Sequence, residues 1–156
     1  MVAFTIRPAT PADAEALCAL HKEAVRRLCL GAYAAEEIEA WLREREPDGF
    51  RRAMSTGGET VLVAERDGAV AGFASIKGTV LFGLYVDPAT GRGAGQVLLQ
   101  AAEDEVRQTG AAVLSLQSTL NAVPFYRKHG YMRQARSTVR RGGRDLAVLD
   151  MIKALS

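Results

Sequence analysis

One stretch constrains this chain more than any other: Leu84-Tyr85-Val86-Asp87-Pro88, then Gly91-Arg92-Gly93-Ala94-Gly95-Gln96, then the apolar Val97-Leu98-Leu99. An apolar strand ends at a proline, a glycine-rich turn follows, and a helical pattern begins. Positions without a Cβ let the backbone approach a ligand closely and adopt positive φ. The first amides of a helix have no intrahelical partner. They also lie at the positive end of the helix dipole, which favours phosphate. The stretch reads as a cradle for a diphosphate.

Other glycine motifs fit less well. A dinucleotide fingerprint needs G-x-G-x-x-G and an acidic residue ending the next strand. Here the glycines alternate, and the next strand ends at Gln117-Ser118. A P-loop needs Gly-Lys-Ser/Thr, which the stretch lacks. A turn serving chain geometry alone is the remaining reading. Three glycines in five residues are costly in an unfolded chain, and geometry rarely needs so many.

With 156 residues and 48% hydrophobic content, the chain supports one domain, 1–156, with a real core. A net charge of +2 suits a small polyanionic ligand and lacks the clustered excess of nucleic-acid binders. No apolar run approaches the roughly 20 residues of a membrane span. The first residues have no signal-peptide layout, so a cytoplasmic location, without membrane or nucleic-acid partners, is expected. Cys18 and Cys29 fall in one predicted helix, too far apart along it to bridge. With no Cys-x-x-Cys or His cluster, no metal site is expected.

The element order is a strand at Phe4–Arg7, a helix after Thr10-Pro11 running to Gly31, and a second helix over Ala35–Arg45. Pro47-Asp48-Gly49 is expected to break that helix, with one more turn at Phe50–Met54. Strands follow at Thr60–Glu65, Ala69–Ile76 and Thr79–Val86, with a hairpin turn at Arg66-Asp67-Gly68. A helix runs from Gly93 to Thr109, a short strand covers Val113–Gln117, and a small helix covers Ala122–His129. Two strands close the chain, at Tyr131–Arg140 and Arg144–Ile152. The fold class is mixed α/β: a mostly antiparallel mixed sheet of six to seven strands with helices on both faces.

The turn resembles the acetyl-CoA-binding signature of the GNAT N-acetyltransferase superfamily: Leu-x-Val-x-Pro, then [Gln/Arg]-x-x-Gly-x-[Gly/Ala], then a helix with Leu-Leu. Here those parts are Leu84–Pro88, Thr90–Gly95 and Leu98-Leu99. A second element, Ala122-Val123-Pro124-Phe125-Tyr126-Arg127-Lys128-His129-Gly130-Tyr131, is similar to that family's Ala-x-x-Phe-Tyr-x-x-x-Gly-[Phe/Tyr] segment. The two occur in the family's order, about thirty residues apart, the length of one βαβ-type unit. Two departures stand out: the turn is one residue shorter than the commonest form, and Thr90 stands where Gln or Arg is usual. Arg92 is the candidate to replace that contact as a charge-assisted donor; its alternative is to point into solvent.

The resemblance implies acetyl-CoA as cosubstrate, no metal, and direct attack of an amine on the thioester with both substrates bound. It implies a bulged fourth strand that splays from the fifth, with Leu84–Val86 and Ser115–Gln117 flanking the gap. The implied cofactor contacts are Leu84, Tyr85, Val86, Gly91, Arg92, Gly93, Ala94, Gly95, Gln96 and Phe125; the position of the family's Asn, three residues before the motif alanine, is Thr119 here, and Asn121 is the candidate to take over its hydrogen bond to the pantetheine arm. Amides near Leu84 and Tyr85 would polarise the thioester carbonyl. Tyr126 matches the family's tyrosine acid, and a phenol of pKa about 10 can protonate a thiolate of basicity near 8.5. Its alternative is core packing beside Phe125.

The acceptor amine must be neutral to attack. At pH 7 that costs a lysine-like amine about 4.6 kcal/mol and an α-amine about 1.4 kcal/mol. The fourth strand, Thr79–Leu84, holds no carboxylate; Glu65 and Asp87 are candidate bases, each with a surface alternative. His21, Tyr33 and Trp41 are candidate acceptor-pocket residues, with core packing as the alternative. The long Gly31–Gly58 segment could wall off a pocket, which favours a small-molecule amine. A protein N-terminal or lysine acetyltransferase and a non-catalytic acyl-CoA-binding regulator are the other readings. A homodimer is compatible with all three.

Overall fold

The computed structural model describes residues 3–155. Seven strands form one sheet: β1 (Thr5–Pro8), β2 (Thr60–Arg66), β3 (Ala69–Lys77), β4 (Val80–Val86), β5 (Val113–Ser118), β6 (Met132–Arg141) and β7 (Arg144–Ala154). Their spatial order is β1-β2-β3-β4-β5-β7-β6. All neighbours are antiparallel except β4 and β5. The helices are α1 (Ala14–Leu28), α2 (Ala35–Arg43), α3 (Pro47–Met54), α4 (Ala94–Gln108) and α5 (Val123–Lys128). The mixed α/β expectation holds.

Helices cover both faces, so the central strands are apolar in both phases of their alternation. Leu62, Ala64, Ala74 and Ile76 pack with Leu98, Leu99, Ala102 and Val106 of α4. Val61, Val63 and Phe73 pack on the other face with Leu17 and Leu20 of α1. Val25 of α1 joins Ile38, Trp41 and Leu42 of α2 and Leu146 of β7 in a third cluster. Buried Glu103 ties α4 to the sheet, receiving the Tyr131 hydroxyl at 2.9 Å and the Lys153 ammonium at 3.0 Å.

Two local expectations are corrected. Pro47 does not end a helix; it begins α3 at the first position, where its missing N–H costs nothing. The last helix is shorter than expected, because Leu120–Ala122 forms a 3-10 turn before α5. Cys18 and Cys29 are buried free thiols. Among the described residues no helix is long and apolar enough to cross a membrane.

Candidate active site

β4 and β5 pair only at Val80–Ser115 and Leu81–Leu116. Beyond them Phe82 is an extra residue: Ser75 of β3 faces Gly83, while Ile76 faces Leu81. Such a bulge bends its strand and sharpens the twist, and β4 departs from β5. Asp87 N donates to Ala71 O at 2.8 Å. Because antiparallel pairs alternate between bonded and non-bonded, Phe73–Tyr85 and Ser75–Gly83 carry the bonds to β3. The main-chain groups of Leu84 and Val86 therefore face the gap. Tyr85 is corrected: its amide belongs to the β3 ladder, and its ring enters the cavity described below. On the far flank Ser115 and Leu116 still pair with β4, so Gln117 and Ser118 border the gap.

At the end of β4 the Asp87 carboxylate accepts the Ala89 amide at 2.8 Å, which folds the turn. The turn's main-chain bonds run from Gly91 N to Asp87 O and from Ala94 N to Gly91 O. They leave the amides of Arg92, Gly93, Gly95 and Gln96 without a partner in the turn. Gly93 caps α4 at φ +90°, a left-handed conformation that favours glycine. Gly91 has a different role, because a Cβ there would lie 2.5 Å from Ala71 O; it is a packing glycine. At Gly95 the helix is ordinary and the Phe125 ring stands 3.4 Å from where a Cβ would be. Ala94 is fully buried and its amide is used, so neither its side chain nor its N–H is free for a ligand. Arg92 and Gln96 are exposed. The open amides at the start of a four-turn helix, next to an unpaired strand edge, fit a diphosphate with an amide-bearing arm.

Across the sheet from α4 lies a cavity of about 620 Å³. Its walls come from α1 (His21), α2 and the following link (Trp41, Glu44–Glu46), α3 (Phe50), β2–β4 and the β5-β7-β6 side. His21, Tyr33 and Trp41 all reach it. Tyr33 is pinned, though: its hydroxyl donates to Ala147 O at 2.5 Å and accepts from Leu120 N at 3.1 Å. His21 stacks edge-on against Tyr85, ring centres 4.4 Å apart, and Trp41 packs 5.8 Å away. Burial, with help from the charges of Arg45, Arg141 and Lys22, lowers the His21 pKa to about 3, so the ring is neutral.

The base candidates from sequence are engaged elsewhere. Glu65 pairs with Arg7 at 2.8 Å on the β1 side, and Asp87 caps the turn. The cavity instead holds Glu59, which accepts the hydroxyl of Ser75, the residue opposite Gly83 at the bulge. Sequence reading passed over this pair; the one available signal was a serine interrupting the apolar run of β3. Asp150 also lines the cavity, but its Oδ1 already accepts Ser137 Oγ at 2.8 Å and Gln117 Nε2 at 3.3 Å.

Tyr126 lies on the α4 side, 6% exposed, with its ring 5.3 Å from Phe125 and 5.7 Å from Tyr131. Burial, and then the neighbouring Tyr85 phenol, push its pKa above the usual phenol range, so it holds its proton at neutral pH. Asn121 is exposed; burial raises the pKa of the Cys29 thiol to about 11, with Asn121 acting in the opposite sense.

A family model described as an acetyltransferase (GNAT) domain matches residues 29–155. The chain belongs to the GNAT acetyltransferases. Among solved structures, it is similar to a GCN5-related N-acetyltransferase from Rhodopseudomonas palustris at 32% identity and TM-score 0.92, covering 99% of this chain and 98% of that one. The PaiA N-acetyltransferase of Thermoplasma acidophilum, solved with coenzyme A, aligns at 25% identity and TM-score 0.78 over 97% and 99% of the two chains. A ribosomal-protein-alanine N-acetyltransferase from Brucella melitensis aligns at 28% identity and TM-score 0.73 over 97% and 99%. No curated protein matches.

Proposed function

We propose that this protein transfers an acetyl group from acetyl-CoA to a primary amine of a small molecule, by direct attack with both substrates bound. One observation carries the reading: a bulge-opened gap in the sheet joins open helix-start amides on one face to a walled cavity on the other. The PaiA relative solved with coenzyme A supports the cosubstrate. The small-molecule acceptor is favoured because α2, α3 and the β6–β7 hairpin roof the cavity, leaving a chamber where a protein substrate would want an open trough.

When bound, the cosubstrate supplies an activated thioester carbonyl. The chain's residues supply the rest. Amides of Arg92, Gly93, Gly95 and Gln96 hold the diphosphate, with the Arg92 guanidinium as a charged donor. Leu84 and Val86 bond the arm as an added strand would, and an amide at this edge stabilises charge developing on the carbonyl oxygen. Glu59, oriented by Ser75, receives the proton of the acceptor ammonium. The Tyr126 hydroxyl donates a proton to the departing sulfur as the C–S bond breaks, and the second proton shed by the nitrogen as the amide forms returns the phenol to its neutral state.

Thiol release from acetyl-CoA, measured against a panel of amines, amino acids and peptides, tests the reading. Turnover with at least one amine is expected. Tyr126→Phe should keep coenzyme A affinity and lose at least about tenfold in turnover, the low end of acid catalysis being about a hundredfold. Tight coenzyme A binding with no turnover on any acceptor would instead mark a non-catalytic acyl-CoA-binding protein.

A further inference from the structure

Two guanidinium groups without an ion-pair partner line the cavity, on a wall that also carries Glu44 and Glu46. Arg45 lies in the link between α2 and α3, and Arg141 ends β6; both line the cavity. Neither takes part in an ion pair among the described residues. The one side-chain hydrogen bond of Arg141 is to its neighbour's carbonyl, Arg140 O, at 2.8 Å. Burial, and then the like charge of Arg45, lower the Arg141 pKa; Glu44 acts in the opposite sense without pairing. The arrangement is enforced by packing. The β6–β7 turn presses so closely on α2 that a Cβ on Gly142 would lie 1.8 Å from Ala40 O. Arg141, one residue before that contact, has little freedom to leave.

A second, independent observation points to a ligand in the same place. His21 Nδ1 and Trp41 Nε1 are buried without any hydrogen-bond partner, on side chains 2% and 6% exposed. Both side chains line this cavity. An indole N–H can only donate, so it calls for an acceptor oxygen. At the bulge end stands Glu59, held by Ser75. The cavity thus carries two guanidinium groups free of ion pairs, an aromatic middle, and Glu59 beside the bulge, with Glu44 and Glu46 flanking Arg45 on its wall.

We propose that the acetyl acceptor is an amino acid, with its carboxylate held by Arg45 and Arg141 and its amine at the bulge end by Glu59. The planar forks of two arginines match the two oxygens of a carboxylate. The inference rests on the acetyltransferase reading above and narrows its substrate.

The test is calorimetric titration of the coenzyme A-saturated protein with free amino acids, the corresponding decarboxylated amines, and the corresponding carboxamides. A charge-assisted pair predicts that acids bind about ten- to a hundredfold more tightly than either counterpart. Arg45→Met and Arg141→Met should each remove most of that preference. Arg136→Met, an exposed arginine outside the cavity, should retain it. Coenzyme A affinity in the same titrations reports that each variant is folded. Equal binding of acid, amine and carboxamide overturns the proposal, as does no binding in any of the three sets. A preference that survives in the Arg45→Met/Arg141→Met double variant overturns it too. Thiol release with carboxylate-free amines would then keep the acetyltransferase reading alive, so the two fail separately.

Discussion

Acid should destabilise this protein through a single imidazole. His21 is 2% exposed, and burial holds its pKa near 3 against an ordinary 6.5. The unfolded chain takes up the proton near the ordinary value; the folded chain resists until near the lowered one. Between them the unfolded state binds more protons, so stability is full above the window and falls as pH falls through it. Each pH unit inside the window removes about 1.36 kcal/mol. From about pH 7.5 to about pH 4.5 the loss is about 2.7 kcal/mol. That is a large share of a domain's typical 5–15 kcal/mol, roughly. Urea denaturation of the wild type and His21→Leu at both pH values measures it. Leucine removes a ring nitrogen that has no partner, so the variant should lose about 2.7 kcal/mol less than the wild type on acidification. The Asp13 carboxylate, held near 2 by its bonds to Arg7, loses its contribution only at lower pH and in both proteins alike. Equal acid losses in wild type and variant would refute the assignment of a buried neutral His21.

The glycines of the turn should separate by role in thermal denaturation. Gly91→Ala forces a methyl against the Ala71 carbonyl and should cost about 1–3 kcal/mol, whereas Gly95→Ala, at ordinary helical φ, should be neutral or stabilise by up to about 1 kcal/mol. Glu59→Gln should lower turnover by about a hundredfold or more while leaving coenzyme A affinity unchanged. Wild-type turnover in that variant, with a loss in Asp150→Asn, would move the base to the β7 side of the cavity.

Much of the scaffold was legible from sequence because its signals are local. Alternating and continuous apolar runs gave the strands, and the Asp67-Gly68 pair, both at positive φ, closes the expected hairpin. The helix start after Gly93 was legible for the same reason. Misreadings came where a local signal had two meanings. Pro47 can stop one helix or start the next, and only the packing of α3 against α1 decides between them. Gly91 can serve a ligand or a neighbouring strand, and the nearness of Ala71 O assigns it to the strand. Tyr85 sat in the right motif, but ladder alternation sends its amide to β3 and its ring to the cavity.

The sequence by itself determined the sheet's strands, the strand–turn–helix whose first amides stay open, and the aromatic Phe125-Tyr126 step. Each of these is written in a few adjacent residues, where periodicity, backbone preference and helix-end chemistry act at short range. Only the tertiary structure decided what the cavity contains. Glu59 meets Ser75 sixteen positions away through the β2–β3 pairing, and Arg45 and Arg141 line one cavity because the β6–β7 turn docks on α2. Those encounters depend on register and close packing between distant segments, which no local pattern encodes.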